Sequence, residues 1–137
     1  MFYKIYLNST NKITGDFTKG TYRISLPNTF EAVGKNWGIA VESFCSGTFN
    51  DLPVYITTNI PLKNTYTSIG SKNILLCINS YNYQHVVTSN RCSCILANTI
   101  EFYQNSTIEI SFENALTGEA FNYDKGWAMT VVIYNII

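Results

Sequence analysis

The stretch TIEISFE, residues 107–113, places Ile108, Ile110 and Phe112 on one side of an extended chain and Thr107, Glu109, Ser111 and Glu113 on the other. Only a two-residue period accounts for that alternation, so the segment is a β-strand with one buried and one wet face. Downstream, NALTGEAFNYDKG reads as a loop and leads into a second strand, WAMTVVIYNII, residues 127–137. Trp127, Met129, Val131 and Ile133 share one face of it, while Ala128, Val132, Tyr134 and Ile136 make the opposite face largely apolar as well. One face fills a core. The other needs a cover, since burying a large apolar side chain is worth about 1.5–3 kcal/mol. Val132, Tyr134, Ile136 and Ile137 are therefore the candidate subunit interface.

Upstream the same period recurs. FYKIYL sets Tyr3, Ile5 and Leu7 on one face, and TYRISLP sets Tyr22, Ile24 and Leu26 on one face before Pro27 removes a donor and ends the ladder. In WGIAVESF, Trp37, Ile39 and Val41 agree in parity and Phe44 does not, which predicts a β-bulge between Val41 and Phe44. Further strands are expected at VYITT, at ILLCI, around YQHVV and at CSCILA, each bounded by Asn, Gly, Pro or Ser. Gly15, Gly47, Gly70, Gly118 and Gly126 fall at expected turns and form no phosphate-cradling pattern.

The whole chain, 1–137, is of a size for one domain, and a fold of that length buries roughly two-thirds of its unfolded surface. About eight strands in two antiparallel sheets suit an all-β sandwich, either a jelly roll or an immunoglobulin-like fold. The immunoglobulin alternative expects a Cys, Trp, Cys spacing that the cysteines around Trp37 do not provide. Charged residues are only 13% of the chain and the formal net charge is zero, so copies repel one another weakly and self-association is inexpensive. Arg23 and Arg91 stand far apart among scattered lysines, which disfavours nucleic-acid binding. The N-terminal MFYKIYLNSTNK lacks signal-peptide character, and no apolar run approaches membrane-spanning length, so direct membrane insertion is not expected.

Reactive chemistry is sparse. Cys77 sits inside the apolar ILLCI and reads as a buried thiol, and Cys92 and Cys94 share a strand face; with Cys45 they are expected to form no disulfide. C-x-C supplies two metal ligands at best, so no metal and no other cofactor is expected. His85 is the single imidazole, lies in or beside a strand, and has no nucleophile motif, which favours a structural role. Glu109 and Glu113 share a strand face and are the one carboxylate pair to weigh for glycoside hydrolysis; a solvated polar face explains them better. No catalytic residue and no small-molecule substrate is expected.

TYRISLPNTFEAVGKNWGIAVESF and TIEISFENALTGEAFNYDKGWAMTVVIYNII, which together cover under half the chain, resemble in layout the single jelly-roll capsid proteins of large icosahedral double-stranded DNA viruses, especially the penton subunits at their vertices. The former is similar to their strand, proline-ended turn and tryptophan-led strand; the latter is similar to their closing strand, loop and final apolar strand. The resemblance implies a single jelly roll that forms a homopentamer at fivefold vertices or serves as a minor capsid protein. It also implies contacts with neighbouring capsid proteins, assembly in the host-cell cytoplasm and residence in the virion shell. The competing reading is a carbohydrate-binding sandwich, for which Tyr81, Tyr83, Tyr103 and Tyr123 are the candidates because they fall in or beside loops.

Overall fold

A computed structural model describes residues 2–24, 36–50, 53–60, 62, 66–67, 70–79, 84–85, 94–95 and 106–136. Among them there are strands and no helix: β1 (Phe2–Asn8), β2 (Thr14–Gly15), β3 (Lys19–Ile24), β4 (Asn36–Ser46), β5 (Val54–Thr58), β6 (Tyr66–Thr67), β7 (Gly70–Ser71), β8 (Ile74–Ile78), β9 (Gln84–His85), β10 (Cys94–Ile95), β11 (Ser106–Asn114), β12 (Ala120–Phe121) and β13 (Trp127–Ile136). One sheet runs β1-β13-β4-β10 and the other β2-β3-β11-β5-β8, while β9 adds to β4, β12 adds to β11, and β6 and β7 form a separate pair. Every pairing is antiparallel. The all-β sandwich of two antiparallel sheets expected from the sequence is present.

The pairings are nested. β1 pairs with β13, β3 with β11, β4 with β10, and β5 with β8, so the first half of the chain runs against the second as one long antiparallel ribbon. The ribbon closes on itself twice, where β13 pairs with β4 and β11 pairs with β5. Two four-stranded layers result, β1-β13-β4-β10 and β3-β11-β5-β8, with all eight strands in a fixed place.

Alternation decides what lies between the layers. Ile108, Ile110 and Phe112 of β11 face inward beside Tyr22 and Ile24 of β3 and Val54 and Ile56 of β5. Trp127, Met129, Val131 and Ile133 of β13, Ile5 and Leu7 of β1, and Ile39, Val41 and Phe44 of β4 meet them from the other sheet. The contact between the layers is partly aromatic, with Phe112 lying 5.8 Å from Trp127 edge-on and Tyr22 lying 5.5 Å from Trp127 in the same manner. Both distances suit edge-to-face packing.

The register of β4 against β13 shifts where Val131 opposes Val41 and Thr130 opposes Ser43, leaving Glu42 as the extra residue. This is the bulge expected from the parity of Phe44, and it returns Phe44 to the core. A further shift separates Ile56 from Thr57 in the pairing of β5 with β8. Cys77 in β8 is exposed rather than buried as its apolar neighbours imply, with its Sγ 3.5 Å from Asn79 Oδ1. It opposes Tyr55 and lies next to the buried Ile78, which opposes Val54, so alternation turns Cys77 outward; the register shift beyond Leu76 makes Leu75 the other buried residue of β8. Cys45 is likewise exposed, and neither thiol is in a disulfide.

Other expectations change as well. Gly15 and Gly70 lie in the short strands β2 and β7 rather than in turns. The segment after β11 contains a hairpin: Asn114 Oδ1 accepts from the N–H of Leu116 (2.9 Å) and Thr117 (3.3 Å), and Gly118, at φ 74°, turns the chain back into β12. A side chain at that φ would be strained, which is why glycine stands there. Leu26, Pro27, Cys92, Tyr81, Tyr83, Tyr103 and Ile137 lie outside the described residues.

Candidate functional site

The outer face of the sheet containing β13 is the surface that the sequence nominates. β13 runs between β1 and β4, so Val132 sits between Lys4 and Ala40, and Tyr134 sits between Phe2 and Gly38. Val132 and Tyr134 are both partly buried; Ile136 belongs to the strand and continues its register opposite Asn36. Two features of the chain itself give this face its cover. Lys4 Nζ meets Glu42 Oε1 at 2.9 Å, and because these residues lie on strands flanking β13, the ion pair reaches across its outer side. The Glu42 carboxylate holds the Lys4 ammonium above its ordinary pKa. The Tyr134 ring lies over Gly38, in the space that a Cβ there would need. A glycine opposite a tyrosine on a sheet face lets the ring lie flat against the neighbouring strand, and this is the residue that sequence reading missed. Its signal was the lone Gly in the apolar WGIAV.

What stays open on this face is Tyr6, 70% exposed on β1, together with Ala128 and Cys45. Tyr6 opposes Thr130 across the ladder and so belongs to the same face as Val132. The surface is weakly charged and of mixed polarity, with one internally neutralised ion pair. Such a surface presents contact area rather than reacting groups.

The residues weighed for chemistry are dispersed or engaged. Glu113 pairs with Lys72 at 2.8 Å, in a bridge whose side chains are only 25% (Lys72) and 14% (Glu113) exposed, and Lys72 also donates to the carbonyl of Gly118 at 3.3 Å. Glu109 lies 3.6 Å from Lys19. Four residues along a strand set the Cα positions of Glu109 and Glu113 roughly 14 Å apart at about 3.4 Å per residue. Glycosidase pairs stand about 5–9.5 Å apart, so Glu109 and Glu113 do not form one. His85 lies in β9, where its backbone pairs with Phe44 of β4. Among the described residues no group of three or more His, Cys, Asp or Glu is placed to hold a metal ion, and no helix is long and apolar enough to cross a membrane.

Of the four tyrosines weighed for sugar stacking, Tyr123 is described, and it is already stacked within the protein. Its ring lies 4.4 Å from Phe49 at 17° and 5.0 Å from Phe112, and burial pushes its hydroxyl pKa up. No family model matches the chain, and no curated protein or solved structure is significantly similar to it.

Proposed function

We propose that this protein is a structural subunit of a viral shell, built as a single jelly roll and acting through contacts with copies of itself as a homopentamer at fivefold vertices. The nested ribbon carries the reading: pairing first strand with last and so inward, then closing into two four-stranded layers, is the pattern that jelly-roll winding produces. A fold alone does not assign a function, so the surface supplies the other support. It is low in charge, carries Tyr6 in the open, and offers a partly apolar strip along Val132. Association through such a surface needs no cofactor and no reacting group, and the protein works by shape, without catalysis. Its place is the virion shell, beside other capsid proteins, after assembly in the host-cell cytoplasm; a minor capsid position between larger capsomers uses the same surfaces.

Light scattering and electron microscopy of the purified protein at increasing concentration test this reading. Class averages with fivefold symmetry support it. A scattering mass of one chain at every concentration counts against it, because a stable interface buries over about 1,000 Å² and persists at micromolar protein.

A further inference from the structure

Between the β2–β3 hairpin and the segment 121–127 lies a cleft of about 320 Å³ that assembly through the outer face of β13 does not use. That volume equals on the order of ten waters at about 30 Å³ each, and it lies at the small end of ligand sites. Tyr22 lines it. Its side chain is buried, with the residue only 3% exposed, and its hydroxyl has no hydrogen-bond partner among the described residues. Trp127, 6% exposed, lines the same cleft, and its indole N–H likewise has no acceptor among the described residues. Two nearly buried donors without partners among the described residues thus open onto one cleft, and native proteins satisfy such groups with bound water or with something that binds.

The remaining lining narrows the chemistry. Asp16 is committed to its own turn, accepting from the N–H of Thr18 and Lys19 at 2.9 and 3.0 Å. Lys19 lies by Glu109, and Lys125 donates to Thr48 Oγ1 at 2.6 Å. Lys12, Asn122 and Asp124 have no hydrogen bond or ion pair among the described residues, and the lining sets Lys12, Lys19 and Lys125 against Asp16, Asp124 and, beside Lys19, Glu109. Those charges cancel, which disfavours an anion. An apolar ligand would strand the Tyr22 and Trp127 donors at the cost of their desolvation. Phe17, 73% exposed, stands at the rim as an aromatic face. Gly20 makes the room: a Cβ there would lie 2.8 Å from both the Tyr22 hydroxyl and Lys12 Cδ.

We propose that this cleft binds a neutral saccharide residue, whose hydroxyls meet Tyr22, Trp127, Asn122, Asp124 and Lys12 and whose apolar ring face meets Phe17. A sugar hydroxyl donates and accepts at once, which matches a lining that mixes donors (Trp127, Lys12), an acceptor (Asp124) and groups that do both (Tyr22, Asn122). Sugar binding here does not depend on how the protein assembles.

Ligand-observed and chemical-shift NMR of the full chain tests it, with the methyl glycosides of glucose, galactose, mannose, fucose and N-acetylglucosamine as probes and with acetate and inorganic phosphate as anionic arms. Saturable binding of at least one neutral glycoside is expected below about 10 mM. Tyr22→Phe, which removes only the hydroxyl, and Asp124→Ala should each weaken it about fivefold or more at unchanged thermal stability, while Lys4→Ala, on the outer face of β1 and outside the cleft lining, leaves it unaltered. No saturable glycoside, binding of the anions alone, or glycoside binding indifferent to both cleft variants would each overturn the proposal; in the first case the two donors serve bound water.

Discussion

At the level of single residues, burial and alternation make unequal demands on neighbours. Ile108 is fully buried at the centre of β11, where its side chain lies between the two sheets. Ile108→Ala should lower the unfolding free energy by about 2–5 kcal/mol in urea denaturation, whereas Thr107→Ala, exposed one position away, should change it by less than about 0.5 kcal/mol. Tyr22 sets a pH dependence. Burial raises its hydroxyl pKa from 10.0 to about 12, so between those values the unfolded chain has lost the phenolic proton while the folded chain keeps it. Stability from this group is therefore complete below pH 10 and falls as pH rises toward 12. Denaturation of the parent and of Tyr22→Phe should give curves that run parallel up to about pH 10 and then diverge, the parent losing on the order of 2–3 kcal/mol more by pH 12. Parallel curves throughout would mean that the hydroxyl ionises in the fold as readily as in water.

Among the elements, the bulge in β4 and the tie at Lys72 carry the testable weight. Glu42 is the residue that opposes nothing on β13, and removing it brings Ile39, Val41 and Phe44 into plain alternation. A chain lacking Glu42 should therefore still fold, with a modest loss of melting temperature and of the Lys4 ion pair, whereas a chain lacking Ala40 turns Val41 outward and should not. Circular dichroism melts of the two deletions distinguish these outcomes. Lys72 joins the start of β8 to the β11–β12 hairpin through Glu113 and the Gly118 carbonyl. Lys72→Met leaves the mostly buried Glu113 carboxylate without its cation, and a loss of about 1.5–3 kcal/mol is expected by denaturation. These elements also mark where sequence reading succeeds and stops. The three-residue step from Val41 to Phe44 exposes the bulge, because one strand face cannot hold both without an extra residue. ILLCI conceals its parity, since apolar residues on both sides do not say which side is inward, and only pairing with β5 turns Cys77 out. Two-residue strands such as β12 are too short to display a period at all.

Across the molecule, the nested ribbon ties the two ends of the chain together. Phe2 opposes Tyr134 and Asn8 opposes Ala128, so the first strand cannot be placed until the last is available. Such non-local pairing predicts slow refolding, in milliseconds to seconds, in stopped-flow fluorescence. The two-sheet architecture was legible from period and punctuation, but the strand order was not, because alternation specifies faces and not neighbours. The cleft was hidden for the same reason: Lys12, Tyr22 and Asp124 are distant in sequence, and only the packing of the β2–β3 hairpin beside segment 121–127 brings them to one cavity. The proposed role in a shell stands or falls with self-association through the outer face of β13, where Val132 is half-buried beneath the reach of Lys4 and Glu42. Native mass spectrometry of the parent and of Val132→Lys puts this to the test. The parent should appear as five copies of the 15.5 kDa chain, and the variant as a folded single copy. A parent that remains one 15.5 kDa chain at tens of micromolar would refute self-association.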